Sequence, residues 1–170
     1  MLLLNNRDVE QVLDMKTCLE ALERGYRDLA CNNATYRPRS GVLLASAPSQ
    51  FPDANFLFGS MEGLSRSMGV FAIRMKSDIV YTQKGRRLKY CVEPGTYCGL
   101  VMLFSVANGE PLAIMQDGYI QHMRVGGCAG LGAKYLSRQD TSVVGILGSG
   151  GMARTYLRAF CQVRKVRKVK

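Results

Sequence analysis

A glycine cluster near the end of the chain constrains the fold more than any other feature. The apolar run Ser142–Leu147 is strand-like and leads into the cluster, and a helical pattern follows. This order matches the G-x-G-x-x-A form of the dinucleotide-binding fingerprint. Its first glycine permits a tight turn, its second lets the backbone approach a pyrophosphate, and the helix N-terminus favours the anion. The predicted cofactor-binding residues are Gly148, Ser149, Gly150, Gly151, Met152 and Ala153.

The segment after this cluster determines how far the cofactor can be specified. The residue that distinguishes NAD from NADP stands about 20 residues after the glycines, at the end of the next strand. Residues 165–170, "KVRKVK", are typical of the start of that strand. The predicted cofactor is therefore NAD or NADP. A P-loop is excluded because no Lys-Ser or Lys-Thr pair follows the glycines, and a structural turn without a ligand is the alternative.

The first 30 residues predict a short strand and two helices. Asn5 or Asn6 can cap a helix that runs through Leu13, and Asp14 can cap a second one. Apolar side chains recur at helical spacing in the second segment, which predicts one core-facing stripe. The stripe comprises Met15, Cys18, Leu19, Leu22, Tyr26 and Leu29.

From about residue 36 to residue 106 the pattern changes to short β-type runs, separated by clusters of Pro, Gly, Ser and Asn. The runs are "SGVLLAS", "NFLFGSM", "GVFAIRMKSDIVY" and "YCGLVMLFSV". Asn108-Gly109 then separates two apolar runs and predicts a two-residue hairpin turn, because Asn-Gly tolerates positive φ angles. Pro111 fits best among the first residues of the strand that follows.

A glycine-rich helix is predicted, with its N-terminal cap near Asp117. Its glycines are Gly126, Gly127, Gly130 and Gly132. Each of them costs about 1 kcal/mol relative to alanine inside a helix. Close packing of the backbone against a neighbour or a cofactor is the expected compensation.

The net charge of +10 is distributed unevenly along the chain. Residues 1–140 carry 16 basic and 13 acidic side chains, whereas residues 141–170 carry seven basic and no acidic ones. The excess therefore lies in the segment that opens the dinucleotide fold, and nucleic-acid binding is the less favoured interpretation. No apolar run approaches the ~18 residues that a membrane span needs. We expect neither nucleic acid nor membrane as a partner, and a cytoplasmic location.

The six cysteines are scattered and form no C-x-x-C pair. The lone histidine, His122, cannot complete a usual zinc-binding set with them. We therefore expect reduced and mostly buried thiols, and no metal site.

Four stretches of the chain carry a resemblance to a known family. They are "NNRDVEQVLDMKTCLEALERGYRDLA", "RPRSGVLL", "GLVMLFSVANGEPLAIM" and "AGLGAKYLSRQDTSVVGILGSGGMART". In this order they resemble the ornithine cyclodeaminase/mu-crystallin family. The resemblance implies an α/β chain with an α+β substrate-binding and dimerisation domain, residues 1–139, whose sheets join across the two-fold axis of a homodimer. Residues 140–170 would begin a Rossmann domain, so the chain would cover about the first half of the usual protein.

The resemblance also implies an activity and a set of substrate-binding residues. Family members act on small amino or imino acids with NAD or NADP, as cyclodeaminases, alanine dehydrogenases or ketimine reductases, and mu-crystallin also binds thyroid hormone. Arg39 in "RPRS" and Arg124 in "QHMRVGG" match family arginines, the first of which contacts the substrate carboxylate. The family lysine of the central strand aligns with Arg74 by the frame that Ser77 sets. By residue type it matches Lys76 instead.

Elementary chemistry agrees with such a set, since hydride transfer at an α-carbon needs cations that hold the carboxylate. Strand alternation places Arg74 and Lys76 on one face of the sheet. The alternative for all four cations is a solvated or salt-bridged surface position. The aspartate that the cyclodeaminases use as main acid/base has no match within the 170 residues, so no residue is assigned that role.

The segment "QDGYIQHMRVGG" departs from the family pattern of Asp-Gly-Thr followed by Thr-Ala-Leu-Arg-Thr. The Asp-Gly pair is displaced by one position, Gln121 replaces one threonine and Val125 replaces another. These departures put ornithine in doubt as the substrate. His122 is either a local proton donor or a packed or solvated side chain.

The function expected is therefore that of an NAD(P)-dependent oxidoreductase or cyclodeaminase of a small amino or imino acid. One alternative is a non-catalytic ligand-binding dimer of the mu-crystallin type. The other is an inactive fragment, because an incomplete Rossmann unit exposes a sheet edge and an apolar helix face and is prone to aggregate.

Overall fold

Local capping signals determine where the first two helices begin in the computed structural model, which describes residues 1–45, 51, 53–90 and 99–170. Strand β1 (Leu2–Leu4) is followed by α1 (Asn6–Val12) and α2 (Met15–Ala30). The Asn5 side chain accepts hydrogen bonds from two backbone N–H groups of α1, and the Asp8 carboxylate accepts one from the Asn5 N–H, which completes a capping box. Asp14 caps α2 through the Thr17 N–H at 2.7 Å. Both predicted caps are confirmed, with Asn5 rather than Asn6 as the first.

Seven strands of the described residues form one sheet. Besides β1 they are β2 (Ala34–Ala45), β3 (Asn55–Ser65), β4 (Val70–Gln83), β5 (Arg86–Tyr90), β6 (Gly99–Ser105) and β7 (Pro111–Gln116). Their order is β1-β7-β6-β4-β3-β2, with β5 paired to the second half of β4. β1 runs parallel to β7, and the other pairs are antiparallel. The long strand β4 is therefore central, and the described parts of the four predicted β-type runs coincide largely with β2, β3, β4 and β6, while residues 46, 97 and 98 lie outside the described residues.

The β6–β7 hairpin is confirmed, but its predicted two-residue turn is wrong. The connection is a longer loop, residues 106–110, in which the Gly109 N–H donates to the Ser105 carbonyl at 3.0 Å. Gly109 has a φ of +75°, whereas Asn108 has no positive φ. The Asn108 side chain instead accepts a hydrogen bond from the Glu110 N–H at 3.1 Å. Such a side-chain-to-backbone bond offers Asn an alternative to the left-handed conformation. Pro111 opens β7, as predicted.

Three helices form the main apolar core. Helix α3 (Gly118–Leu136) packs between α2 and α4 (Gly151–Val163). The buried cluster comprises Met15, Cys18, Leu19, Met123, Leu131 and Ala159. The predicted stripe of α2 is buried only in its first half, since Tyr26 and Leu29 are 54% and 39% exposed. These two side chains border an open apolar groove of about 500 Å³ between α2 and the sheet.

The glycines of α3 are explained by packing against neighbouring helices. A Cβ atom at Gly126 would lie 2.6 Å from the Thr155 carbonyl oxygen, and one at Gly130 would lie 2.8 Å from the Ala159 Cβ. A Cβ atom at Gly127 would lie 2.6 Å from a methyl group of Leu22. The sequence analysis expected close packing against either a neighbouring part of the protein or a cofactor. At these three positions the neighbour is protein. Gly132 has nothing within 4 Å of such an atom.

The glycine cluster stands inside a β-α-β unit. Strand β8 (Val143–Val144) pairs in parallel with β9 (Lys168–Val169), and α4 connects them. The predicted strand Ser142–Leu147 is therefore shorter, although the Ile146 N–H still donates to the Lys170 carbonyl at 2.9 Å. The chain thus has the predicted α/β class, with a largely antiparallel sheet followed by the first parallel unit of a second one.

The expectation of mostly buried thiols is wrong for the described cysteines. Cys18 is buried, Cys128 is half-buried, and Cys31 and Cys161 are exposed, so the described thiols are not mostly buried. Cys91 and Cys98 lie outside the described residues.

No described helix is both long and apolar enough to cross a membrane. No group of three or more His, Cys, Asp or Glu side chains that could hold a metal ion occurs within residues 1–45, 51, 53–90 and 99–170.

Candidate functional site

A small polar cavity brings all four predicted substrate-binding residues together. Its volume is about 150 Å³, and its lining comes from β2, β4, β5 and α3. The lining residues are Arg39, Arg74, Lys76, Asp78, Lys89, Gln121 and Arg124. Five of them are cations and one is a carboxylate. The arrangement is suited to binding an anion, and we call it the cation cavity.

Side chains on one face of β4 line one side of the cation cavity. Arg74, Lys76 and Asp78 stand two residues apart in uninterrupted pairing with β3, so their side chains share one face of the sheet. Gly59 of β3 is opposite Lys76, and a Cβ atom there would lie 3.7 Å from the Lys76 Cε. The small residue leaves the lysine side chain room to lie along the sheet.

Arg39 of β2 lies on the same face, beside a β-bulge. The register between β2 and β3 shifts between Arg37 and Ser40, so that Pro38 and Arg39 both stand opposite Met61. The Arg39 Nη2 atom lies 3.4 Å from the Met61 Sδ. Arg37 pairs with Glu62 on the opposite face, whereas Gly41, two residues after Arg39, pairs with Gly59 on the face of Lys76. The bulge therefore lets Arg37 and Arg39, two positions apart, face opposite sides of the sheet.

Arg74 is held in place by two residues of the α3 N-terminus. Its Nε atom donates to the Asp117 Oδ2 at 2.7 Å, and its Nη2 donates to the Gln121 Oε1. Asp117 is fully buried and makes no side-chain capping bond, contrary to the capping role predicted for it. Its Oδ1 has no hydrogen-bond partner in the described part of the chain. A Cβ atom at Gly99 would lie 2.5 Å from this carboxylate, so glycine is required there.

Lys76 and Lys89 share the carboxylate of Asp78. Their Nζ atoms lie 2.6 and 2.9 Å from the same Oδ2 atom. Burial lowers the pKa of Lys76, and the hydrogen bond to Asp78 opposes that shift. Burial acts to raise the pKa of Asp78, but the hydrogen bonds from Lys76 and Lys89 together lower it below its ordinary value. The carboxylate stays ionised and bridges the two ammonium groups.

Arg39 and Arg124 have no carboxylate partner among the described residues. Arg39 is exposed and Arg124 is half-buried, and they reach the cation cavity from β2 and α3 respectively. An arginine presents two parallel N–H donors that match a carboxylate. This pair of guanidinium groups is therefore the part of the cavity best able to hold an external carboxylate.

The glycine loop before α4 is open to solvent. Gly148 has a φ of +96°, and Gly150 is the N-cap of α4 without any side-chain capping bond. A Cβ atom at Gly148 or Gly150 would have nothing within 4 Å, and Ser149 and Gly151 are also exposed. Met152 and Ala153 are half-buried in the first turn. The loop therefore offers helix N–H groups and free space, which fits the pyrophosphate of a dinucleotide.

Helix α3 connects the cation cavity to this loop. Gln121 lines the cavity, while the ring of the next residue, His122, lies 3.3 Å from where a Cβ atom of Gly151 would be. Two consecutive residues thus contact the two candidate sites. His122 stands at the dinucleotide loop and is not among the residues that line the cation cavity.

Three residues of the site were missed by the sequence analysis. Asp78 had a signal, because it continues the two-residue alternation of Arg74 and Lys76. Asp117 was assigned to helix capping, which is the commoner use of an aspartate in that position. Lys89 had no signal, since only the pairing of β5 with β4 brings it to Asp78.

The chain is similar in sequence to known proteins. A model of the ornithine cyclodeaminase/mu-crystallin family matches residues 1–170. The chain is 29% identical over 170 residues to the alanine dehydrogenase of Archaeoglobus fulgidus, a match that covers 99% of this chain and 47% of that enzyme. It is 36% identical over 74 residues to the Delta(1)-pyrroline-2-carboxylate reductase of Bacillus cereus, covering 44% of this chain and 23% of the reductase.

A solved structure shows the same fold. The Delta(1)-pyrroline-2-carboxylate reductase of Thermococcus litoralis, in complex with NADH and L-proline, superposes with a TM-score of 0.77 at 29% identity. The match covers 99% of this chain and 48% of that one. The chain spans about half the length of the relatives that align along all of it.

Proposed function

The chain belongs to the ornithine cyclodeaminase/mu-crystallin family. We propose that it acts as an NAD(P)-dependent oxidoreductase or cyclodeaminase of a small amino or imino acid. Residues 1–139 supply the substrate-binding and dimerisation domain, and residues 140–170 open the Rossmann domain. The observation that carries the proposal is the cation cavity, in which Arg39, Arg74, Lys76 and Arg124 converge from separate elements. Helix α3 joins this cavity to the glycine loop.

The cationic side chains of the cavity have different roles in substrate binding. Arg39 and Arg124 bind the α-carboxylate, since no carboxylate of the described chain pairs with either. Arg74 is fixed by Asp117, so it presents a guanidinium in one orientation at little further loss of side-chain entropy. Lys76, with a pKa lowered by burial, is the ammonium group best suited to give up or take a proton at the substrate nitrogen.

The glycine loop holds the cofactor in this proposal. Gly148, Ser149, Gly150 and the first turn of α4 bind the pyrophosphate, as the openness of the loop allows. The nicotinamide, when bound, accepts or donates the hydride at the substrate α-carbon.

Cofactor binding and one arginine variant test the proposal. Titration with NADH and with NADPH, followed by nucleotide fluorescence, should show saturable binding of at least one of them. With L-alanine, L-proline and L-ornithine offered as substrates, Arg124→Ala should lower kcat/KM of any accepted one about tenfold to a hundredfold, which is the usual loss for a hydrogen bond to a charged group. Its dissociation constant for the nucleotide should not change.

Arg138→Ala is the matched control, because Arg138 follows α3 and its side chain is 86% exposed. It should keep the kcat/KM of the unaltered protein. Failure of both nucleotides to bind would contradict the proposal. Nucleotide binding without turnover of any amino or imino acid would instead favour the non-catalytic ligand-binding dimer.

The outer edge of β2 supports the homodimer in this proposal. β2 is 12 residues long and ends the sheet, and Val42, Leu43 and Leu44 are 66%, 57% and 74% exposed. A long apolar edge strand is a site for pairing with another chain. Light scattering should therefore give the mass of two copies, and Leu43→Lys should shift the population toward monomer. A monomeric unaltered protein would contradict this part of the proposal.

A further inference from the structure

The side-chain amide of Gln121 is held in one orientation by a neighbouring arginine. The Arg74 Nη2 atom donates a hydrogen bond to the Gln121 Oε1 atom. A guanidinium group carries N–H donors and no acceptor, so it pairs with the oxygen of an amide and not with its nitrogen. Arg74 is in turn held by Asp117, with 2.7 Å between Nε and Oδ2. The Gln121 Oε1 atom therefore faces Arg74, and the Nε2 atom with its two N–H donors is directed elsewhere.

These two N–H donors of Gln121 meet no acceptor among the described residues. The side chain is half-buried and lines the cation cavity. Gln121 stands three residues before Arg124 on α3, a spacing that places both side chains on one face of a helix with about 5–6 Å between their Cβ atoms. The cavity thus offers an uncharged donor beside an arginine that binds the carboxylate in the proposed function.

The lining of the cation cavity is rich in side-chain donors and poor in side-chain acceptors. Apart from Gln121 Oε1, its side-chain acceptors are the oxygens of Asp78, and the Oδ2 atom already binds Lys76 and Lys89. An oxo oxygen only accepts hydrogen bonds, whereas an ammonium group only donates them. Next to a bound carboxylate, this lining therefore favours an oxo group over an ammonium group.

We propose that Gln121 is a substrate-binding residue whose Nε2 atom donates a hydrogen bond to an acceptor on the carbon next to the substrate carboxylate. The ligand class that it recognises is a 2-oxo acid, the deaminated form of an amino acid. This rests on the proposed function, which assigns the carboxylate to Arg39 and Arg124. Gln121 replaces a threonine of the family pattern, so the contact is assigned to this chain and not to the family.

Two ligands that differ in one substituent test the proposal. 2-Methylpropanoate carries a methyl group where pyruvate carries its oxo oxygen, and each has one carboxylate. Neither has an amino or hydroxyl group that NAD+ could oxidise, so calorimetry on the NAD+-loaded protein measures binding without turnover. Pyruvate should bind about threefold to tenfold more tightly, as expected for one hydrogen bond between uncharged groups.

Gln121→Glu separates donation to the ligand from support of Arg74. Glutamate keeps an oxygen for Arg74 but loses both N–H donors, so the ratio of 2-methylpropanoate to pyruvate dissociation constants should fall to about one or below. Gln121→Met loses the oxygen as well and should also give a ratio of about one. Gln139→Glu is the matched control, because it makes the same change in charge at an exposed residue outside the cavity lining. It should keep the full ratio.

Several results would overturn the proposal. If Gln121→Glu kept the ratio and Gln121→Met lost it, Gln121 would only support Arg74. Equal binding of the two ligands, or binding of neither, would also contradict it. So would a pyruvate imine of Lys76 trapped by borohydride, because an imine would then explain the tighter binding. If neither NADH nor NADPH binds, the proposed function fails, and the ratio on the unloaded protein still tests Gln121.

Discussion

The glycines of α3 allow a neighbouring helix to pack closely, whereas the space beside the glycines of the loop before α4 is not filled by described protein atoms. Cβ atoms at Gly126 and Gly130 would fall within 3 Å of α4, at the Thr155 backbone and the Ala159 side chain. Cβ atoms at Gly148 and Gly150 would have nothing within 4 Å. Glycines some 20 positions apart therefore have different structural surroundings, close packing in α3 and open space in the loop.

This difference shows which glycines the fold requires and which ones a ligand would require. In α3 the loss of helix propensity is offset by the close approach of two helices. In the loop no described protein atom explains the missing side chain at Gly150, whose φ of −70° any residue can adopt. A group outside the described residues, such as the cofactor of the proposed function, would give a physical reason for glycine there.

The largest effect is expected for Gly126→Ala. The new methyl group would lie 2.6 Å from the Thr155 carbonyl oxygen, a backbone atom that cannot move without shifting α4. We expect the free energy of unfolding to fall by about 1–3 kcal/mol. Thermal unfolding should show this as a loss of about 2–4 °C in Tm for each kcal/mol. A Tm equal to that of the unaltered protein would mean that α3 and α4 are not in such close contact.

Gly150→Ala should leave the fold intact and weaken nucleotide binding. The methyl group has no described protein atom within 4 Å, so Tm should stay unchanged. It would occupy the space through which a pyrophosphate approaches the loop, and we expect the dissociation constant for NADH to rise about tenfold, which corresponds to about 1.4 kcal/mol. Fluorescence titration measures the first quantity and thermal unfolding the second. A drop in Tm with unchanged binding would reverse the distinction between the two sets of glycines.

The smallest effect, with the opposite sign, is expected for Gly132→Ala. Gly132 is in α3 but has no atom within 4 Å of the added methyl group. Only helix propensity then changes, so stability should rise by about 0.5–1 kcal/mol. Chemical denaturation measures this directly. If Gly132→Ala destabilised the protein as much as Gly126→Ala, position in the helix rather than close packing would determine the effect.

The sequence predicted those features that depend on neighbours along the chain. Asn5 and Asp14 cap their helices because capping involves residues two or three positions away. Arg74 and Lys76 share a face because alternation is a property of the strand itself. The strand, loop and helix around Gly150 follow from one contiguous motif.

Features that depend on tertiary pairing could not be predicted in the same way. Lys89 reaches Asp78 only through the β4–β5 register. Asp117 serves Arg74 and not its own helix, because β4 brings a guanidinium to a position where capping was equally possible. The second half of the α2 stripe is exposed because the described sheet does not close over Tyr26 and Leu29.

The bulge opposite Met61 gives two arginines that stand two positions apart different surroundings. In a regular strand residues 37 and 39 would share one face, but the extra residue leaves Arg37 paired with Glu62 on one side of the sheet and Arg39 at the cation cavity on the other. Two related chains can therefore both keep these arginines when they are aligned by identity and still differ in which of them faces the ligand. In this strand the position of a one-residue gap carries functional information that residue identity does not.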